Sequence, residues 1–223
     1  MMKNLKQRIV NNLRDAIINK EYNPGEHLTE ASLCKLFQVS RTPVREALNQ
    51  LEKEGFIQIV PGVGAKVTKL SLDEILDIYD VLIVLEGASS GLACSKIADE
   101  QIDELERCNE QFQVALNQGH LDSLFKLNAR FHWLITEATQ NPYLVEIRAN
   151  FRFRVDPIAR IFPTIPTQCR RSLDEHREIL DALRSRDAGM AEGAMRRHLE
   201  GAKKALRFHL EQTKGSHSSI ASI

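Results

Sequence analysis

Val39-Ser40-Arg41-Thr42-Pro43-Val44-Arg45-Glu46-Ala47-Leu48 is the stretch on which the fold of this chain turns. Positions four apart share a helical face, so Arg41 and Arg45 point one way while Val44, Leu48 and Leu51 point another. Ser40 has a hydroxyl suited to cap the first turn, and Pro43 is tolerated there because its missing donor is not needed. Arginine's planar fork of donors matches guanine O6 and N7, or a phosphate, in bidentate fashion. The positive end of the helix dipole also favours a phosphate. Ordinary surface salt bridges, with Glu46 or Glu52, are the competing use of the same arginines.

The flanking residues supply the context. Upstream, Thr29 can cap a helix carrying Ala31, Leu33, Leu36 and Phe37, and Gln38-Val39 makes a tight link into the next helix, which is helix-turn-helix spacing. Downstream, Gly55-Phe56-Ile57-Gln58-Ile59-Val60 and Ala65-Lys66-Val67-Thr68 bracket Pro61-Gly62-Val63-Gly64, the pattern of a β-hairpin or wing. Before both, Leu5, Ile9, Leu13, Ile17 and Ile18 recur close to a helical period. Together these elements make residues 1–70 a winged helix-turn-helix.

The 223 residues balance 30 Lys+Arg against 30 Asp+Glu, but unevenly along the chain. Residues 1–70 hold 11 Lys+Arg against 7 Asp+Glu and the remainder 19 against 23, so a basic head sits on an acidic body, which suits nucleic-acid binding by the head. No apolar run approaches the roughly 18 residues of a membrane span, and Met1-Met2-Lys3-Asn4-Leu5-Lys6 has no signal-like apolar stretch, so the expected location is the cytoplasm. Cys34, Cys94, Cys108 and Cys169 are scattered with no C-x-x-C pair, which argues for buried small hydrophobes and against a disulfide framework or zinc ribbon.

Ser71-Leu72-Asp73-Glu74 has the spacing of a capping box and opens a second part, residues 71–212. Helical patterning predicts about six helices there, over 71–97, 99–118, 120–139, 142–162, 172–185 and 187–213, with breaks at Asp99, Gly119, Asn141-Pro142, Pro163 to Pro166 and Arg186 to Gly189. An antiparallel bundle buries their apolar faces, making the whole fold mainly α with one small β wing. The serine-rich residues 213–223 are expected to be an unstructured tail.

Asn128 and His132 lie four apart on the third bundle helix, His176 follows a second capping box, Ser172-Leu173-Asp174-Glu175, and His198 lies on the last helix. Three imidazoles and a side-chain carbonyl can bind a divalent metal if those helices face one another; otherwise they are surface or capping histidines. Arg148 and Arg152 share a face of the fourth helix and suit either an anion or a solvated basic surface.

The first third of the chain, through Ile17, Pro24-Gly25-Glu26-His27-Leu28-Thr29-Glu30, Leu33, Phe37, Val39 to Leu48, Leu51-Glu52-Lys53-Glu54-Gly55 and Gly62-Val63-Gly64, resembles the GntR family of bacterial transcription regulators. The resemblance implies a second helix entering the major groove of double-stranded DNA, with Arg41 and Arg45 on bases or phosphates, Ser40 and Thr42 on phosphates, and Gly64 at the groove floor. The family often has a basic residue between the two wing glycines; Val63 stands there, leaving Lys66 to supply the charge. It further implies a homodimer on a pseudo-palindromic operator.

From Leu72 to about Leu210 the chain is similar to the FCD ligand-binding domain of the FadR subfamily, through Glu74 to Tyr79, Leu85-Glu86, Asn128-x-x-Phe131-His132, Asn141-Pro142, Glu175-His176 and Arg196-x-His198. The resemblance implies a divalent transition metal, zinc or nickel, on Asn128, His132, His176 and His198. It also implies a small-molecule effector, with a carboxylate as one class. Leu82 stands where family members often carry the arginine that pairs with an acidic ligand, so the usual anchor is missing. Arg148 and Arg152, or Arg154, are candidates to replace it, and direct coordination of the carboxylate by the metal is the other route. A metal with no effector, serving structure alone, is one alternative. A metalloenzyme is another, disfavoured because no acid or base shares a helix face with the histidines and the DNA head goes unexplained.

Overall fold

The computed structural model describes residues 2–19 and 21–218. The chain divides into two compact units, Met1–Ser71 with Arg152–Pro157 and Leu72–Phe151 with Ile158–Ile223.

The first unit runs α1 (Met2–Ile18), β1 (His27–Leu28), α2 (Glu30–Phe37), α3 (Arg41–Lys53), β2 (Ile57–Val60) and β3 (Gly64–Val67). Its core gathers Ile9 and Leu13 from α1, Leu33 from α2, Val44, Leu48 and Leu51 from α3, Phe56 just before β2 and Ile57 on it. Burial of each large aliphatic side chain contributes about 1.5 to 3 kcal/mol. The hydroxyl of Thr29 accepts from the Ser32 amide at 3.1 Å, the expected cap of α2. Gln38 ends that helix in the left-handed region at φ 54°, and Val39 N–H turns back to the Cys34 carbonyl at 3.1 Å, making the link to α3 tight.

Ser40 occupies the N-cap of α3 but forms no side-chain capping bond, contrary to the expectation from sequence. A capping hydroxyl bonds the amide of the second or third helical residue; the third, Pro43, has none, which leaves only the Thr42 amide as a target.

The wing is a three-stranded antiparallel sheet in the order β1-β3-β2, with His27 opposite Lys66 and Ile59 opposite Ala65. Strand β1 adds to the hairpin read from sequence. Its closeness explains Gly64, which sits at φ 126° and where a Cβ would run into the Leu28 carbonyl oxygen. Pro61-Gly62 forms the turn, with Gly62 at φ 76° and Val63 N–H on the Val60 carbonyl at 3.0 Å.

The second unit carries six α-helices among its described residues: α4 (Leu72–Ala93), α5 (Asp99–Gln118), α6 (Leu121–Ala138), α7 (Pro142–Ala159), α8 (Pro166–Arg184) and α9 (Ala188–Ser218), with a 3-10 turn at Phe162–Thr164. Helix α4 packs on α6 and α9, α5 on α6 and α8, and α8 on α9. Helix α8 begins at Pro166, earlier than the sequence pattern suggested, because proline's fixed φ suits the first turn. Ser172 is therefore a buried interior residue whose hydroxyl accepts from Gln168 Nε2 at 3.3 Å, and the second capping box does not exist. Helix α9 continues past Thr213 to Ser218, into the stretch expected to be an unstructured tail; residues 219–223 lie outside the described residues.

Cys94, Cys108 and Cys169 are buried and Cys34 half-buried, all as free thiols. No helix among the described residues is long and apolar enough to cross a membrane.

Candidate functional site

His132 on α6, His176 on α8 and His198 on α9 meet inside the bundle. One ring nitrogen from each lies within 4.8 Å of the other two. All three rings are buried, and Phe131 stacks on His176 with centroids 4.0 Å apart and planes 10° from parallel. His198 Nε2 faces His132 Nε2 at 3.3 Å, and His176 Nε2 is buried with no hydrogen-bond partner among the described residues.

Each opposite nitrogen lies close to one side-chain oxygen. Nδ1 of His198 lies 2.8 Å from Glu175 Oε2, Nδ1 of His176 lies 3.2 Å from Asn109 Oδ1, and Nδ1 of His132 lies 2.6 Å from Glu86 Oε2. Burial lowers the proton affinity of His176 well below the ordinary histidine value, and the neighbouring imidazoles lower it further. Burial also lowers that of His198, although the carboxylate of Glu175 opposes it.

Glu86 is the buried acid of this centre. Arg148 Nε comes from α7 to 2.8 Å from its Oε1. The contacts of Glu86 with Arg148 and His132, at 2.8 and 2.6 Å, favour its ionised form. Burial by itself pushes a carboxyl pKa up; here Arg148, His132 and His198 outweigh it and hold Glu86 at about 2.

Of the residues singled out from sequence, the structure thus brings together the three histidines. Asn128 sits one turn before His132 on α6, half-buried, which the helical repeat places on the same face. Arg148 is 6% exposed, which rules out the solvated-face reading for it; the side chain of Arg152 lies outside the described residues. Leu82 is part of the core. Sequence reasoning missed Asn109 as a partner, and it read Glu86 and Glu175 only as matching positions. The signal for Glu86 was a single acid closing the apolar run Val81-Leu82-Ile83-Val84-Leu85; for Asn109 there was none.

In the head, Ser40, Arg41, Thr42 and Arg45 are exposed along the start of α3, and Lys66 is exposed on β3. Arg45 Nε donates to both carboxylate oxygens of Glu30, at 2.8 and 2.9 Å. Its partner is therefore on α2 and is neither Glu46 nor Glu52; Glu52 instead accepts the Ile59 amide at 2.7 Å. Arg41 has no hydrogen-bond or ion-pair partner among the described residues. Val63 is 49% exposed at the hairpin tip.

Comparison with known proteins agrees with both halves. Residues 5–67 match the gntR family of bacterial regulatory proteins and residues 77–201 match the FCD domain. The HTH-type transcriptional repressor RspR of Escherichia coli (strain K12) is 31% identical, over 90% of this chain and 88% of its own length. The Uxu operon transcriptional regulator of the same strain is 30% identical, over 87% of this chain and 83% of its own. Among solved structures, E. coli McbR/YncC shares the fold with a TM-score of 0.78 at 22% identity, covering 92% of this chain and 98% of that one. Both relatives are named as regulators of transcription. A winged head with an exposed arginine face, followed by a helical FCD domain, makes this chain a member of the GntR family of bacterial transcriptional regulators.

Proposed function

We propose that this chain is a ligand-responsive repressor whose head, residues 1–70, reads DNA and whose bundle, residues 71–212, holds a divalent metal and a small anionic effector. The observation carrying the reading is the convergence of three buried imidazole nitrogens, one of them without any protein partner. A buried polar atom without a partner costs free energy, and a cation at the common point removes that cost. His132, His176 and His198 would hold the ion, with Asn128 one turn away as a fourth donor. Nitrogen donors favour zinc or nickel over magnesium or calcium. When bound, the ion supplies a Lewis-acidic positive centre, and because the imidazole and amide donors are neutral its charge remains available to an anion such as a carboxylate. The buried guanidinium of Arg148, paired with Glu86, offsets the charge of that acid, so the carboxylate does not repel an anionic effector.

In the head, Arg41 and Arg45 contact bases or phosphates, Ser40 and Thr42 contact phosphates, and Gly64 and Lys66 bring the wing to the neighbouring groove. A homodimer presents two such heads to the half-sites of a pseudo-palindrome. Effector binding shifts operator affinity only by its differential affinity for the two states, of order 1 to 3 kcal/mol.

The test joins elemental analysis to a gel shift. Purified wild-type protein carries stoichiometric zinc or nickel, His132→Ala with His176→Ala carries none, and a panel of organic acids releases operator DNA from the wild type only. Metal content unchanged in the double variant removes the metal reading. Arg41→Ala and Arg45→Ala variants that bind operator as tightly as wild type remove the assignment of α3, since each is expected to cost roughly ten- to a hundredfold in affinity.

A further inference from the structure

Resting on the reading of His132, His176 and His198 as metal ligands, we propose that Glu86, Asn109 and Glu175 are positioning residues that fix the tautomer of each imidazole and aim its Nε2 at the ion. Each Nδ1 meets one oxygen, and the three oxygens arrive from three helices: Glu86 on α4, Asn109 on α5 and Glu175 on α8. An oxygen that can only accept requires the proton on Nδ1, which leaves the lone pair on Nε2.

For His176 the assignment depends on which way the Asn109 amide points. Asn109 Nδ2 donates to the Leu173 carbonyl at 3.4 Å, so its oxygen is the atom facing the imidazole. For His132 and His198 the acceptors are carboxylates, and a lone pair on Nδ1 would be repelled by them. With all three protons so placed, the Nε2 atoms of His132 and His198 present lone pairs to each other at 3.3 Å, and that of His176 joins them unpartnered. Three acceptors and no donor at one point is unfavourable for the protein alone and favourable around a cation.

The two carboxylates are also neutralised from behind. Arg148 pairs with Glu86, and Arg171 Nε donates to Glu175 Oε1 at 2.5 Å. They orient the imidazoles without cancelling the charge of the ion.

Asn109 offers the cleanest test, being neutral and buried, with hydrogen bonds to His176 and the Leu173 carbonyl. Asn109→Leu and Glu175→Leu proteins are expected to bind nickel or zinc about 10- to 100-fold more weakly in chelator competition. Their cobalt forms are expected to show a shifted visible spectrum. Glu175→Gln, which keeps a carbonyl acceptor, retains affinity within a few-fold of wild type. Glu175 is only partly buried, so its variants serve if Asn109→Leu does not fold, as judged by circular dichroism without metal. Folded leucine variants with wild-type affinity and an unchanged cobalt spectrum overturn the positioning role. Wild-type protein that takes up no ion overturns the ligand reading, which is a separate outcome.

Discussion

Two wing glycines separate a steric requirement from a conformational one. Gly62 and Gly64 both have positive φ, at 76° and 126°, so an alanine at either carries backbone strain of about 1 to 2 kcal/mol. They differ in surroundings: a Cβ on Gly62 meets nothing within 4 Å, whereas one on Gly64 collides with the Leu28 carbonyl oxygen and crowds Thr29 Cα at 3.2 Å. Backbone atoms in a paired strand cannot swing aside, and overpacking of this kind adds about 1 to 3 kcal/mol. Gly64→Ala is thus expected to cost the head about 2 to 5 kcal/mol, and Gly62→Ala only the first 1 to 2. Amide hydrogen exchange on the full chain resolves the difference locally. The Val67 amide, bonded to the Glu26 carbonyl at 2.9 Å, reports opening of β3. It should exchange much faster in Gly64→Ala than in Gly62→Ala. Equal acceleration in both variants would refute the steric account and leave Gly64 to its proposed role at the DNA groove alone.

Glu30→Gln removes the carboxylate that holds Arg45. The pair is exposed, so thermal stability should hold while discrimination between operator and a mismatched site falls; an unchanged ratio of affinities in gel shifts counts against Glu30 as the stay of Arg45. Glu86→Leu strands the buried guanidinium of Arg148 and should destabilise metal-free protein by about 3 to 5 kcal/mol, while Glu86→Leu with Arg148→Leu recovers most of that loss. Urea denaturation followed through Trp133 measures both, and a double variant as unstable as the single contradicts the pairing. Burial pushes the thiols of Cys108 and Cys169 up to about 11, so thiolate forms only as pH rises toward that value, and iodoacetamide at pH 8 should spare them and modify Cys34 first. Rapid native-state labelling of Cys169, read by mass spectrometry, is the contrary result.

The helix-turn-helix was legible because its signals are local. Thr29 caps within three residues, Val44, Leu48 and Leu51 repeat at helical spacing, and Pro61-Gly62 marks its own turn. What escaped depends on partners distant in sequence. Strand β1 is two residues long and exists through its pairing with β3, so no periodicity announces it. Leu36 fits the helical pattern of α2 yet is 59% exposed, because a repeat shows which residues share a face but not how wide the buried face is. The proline that marks the helix start also removes one of the two amides that Ser40 could have capped. The histidines could be picked out from sequence, but Asn109 lies 67 residues from His176, and only the packing of α5 on α8 brings its amide there.

The three-histidine centre also bears on how the bundle is tied together. Its donors come from positions 132, 176 and 198 on three different helices, so an ion held among them closes two long loops at once. Such a closure removes freedom chiefly from the unfolded chain, and its entropic effect changes only slowly with loop length. With an ion bound, the centre would act as a reversible cross-link among three helices, of which α8 and α9 are already joined by the His198–Glu175 and Arg197–Glu178 contacts. Withdrawing the ion would slacken α6, α8 and α9 together and leave the head, with its own core, intact.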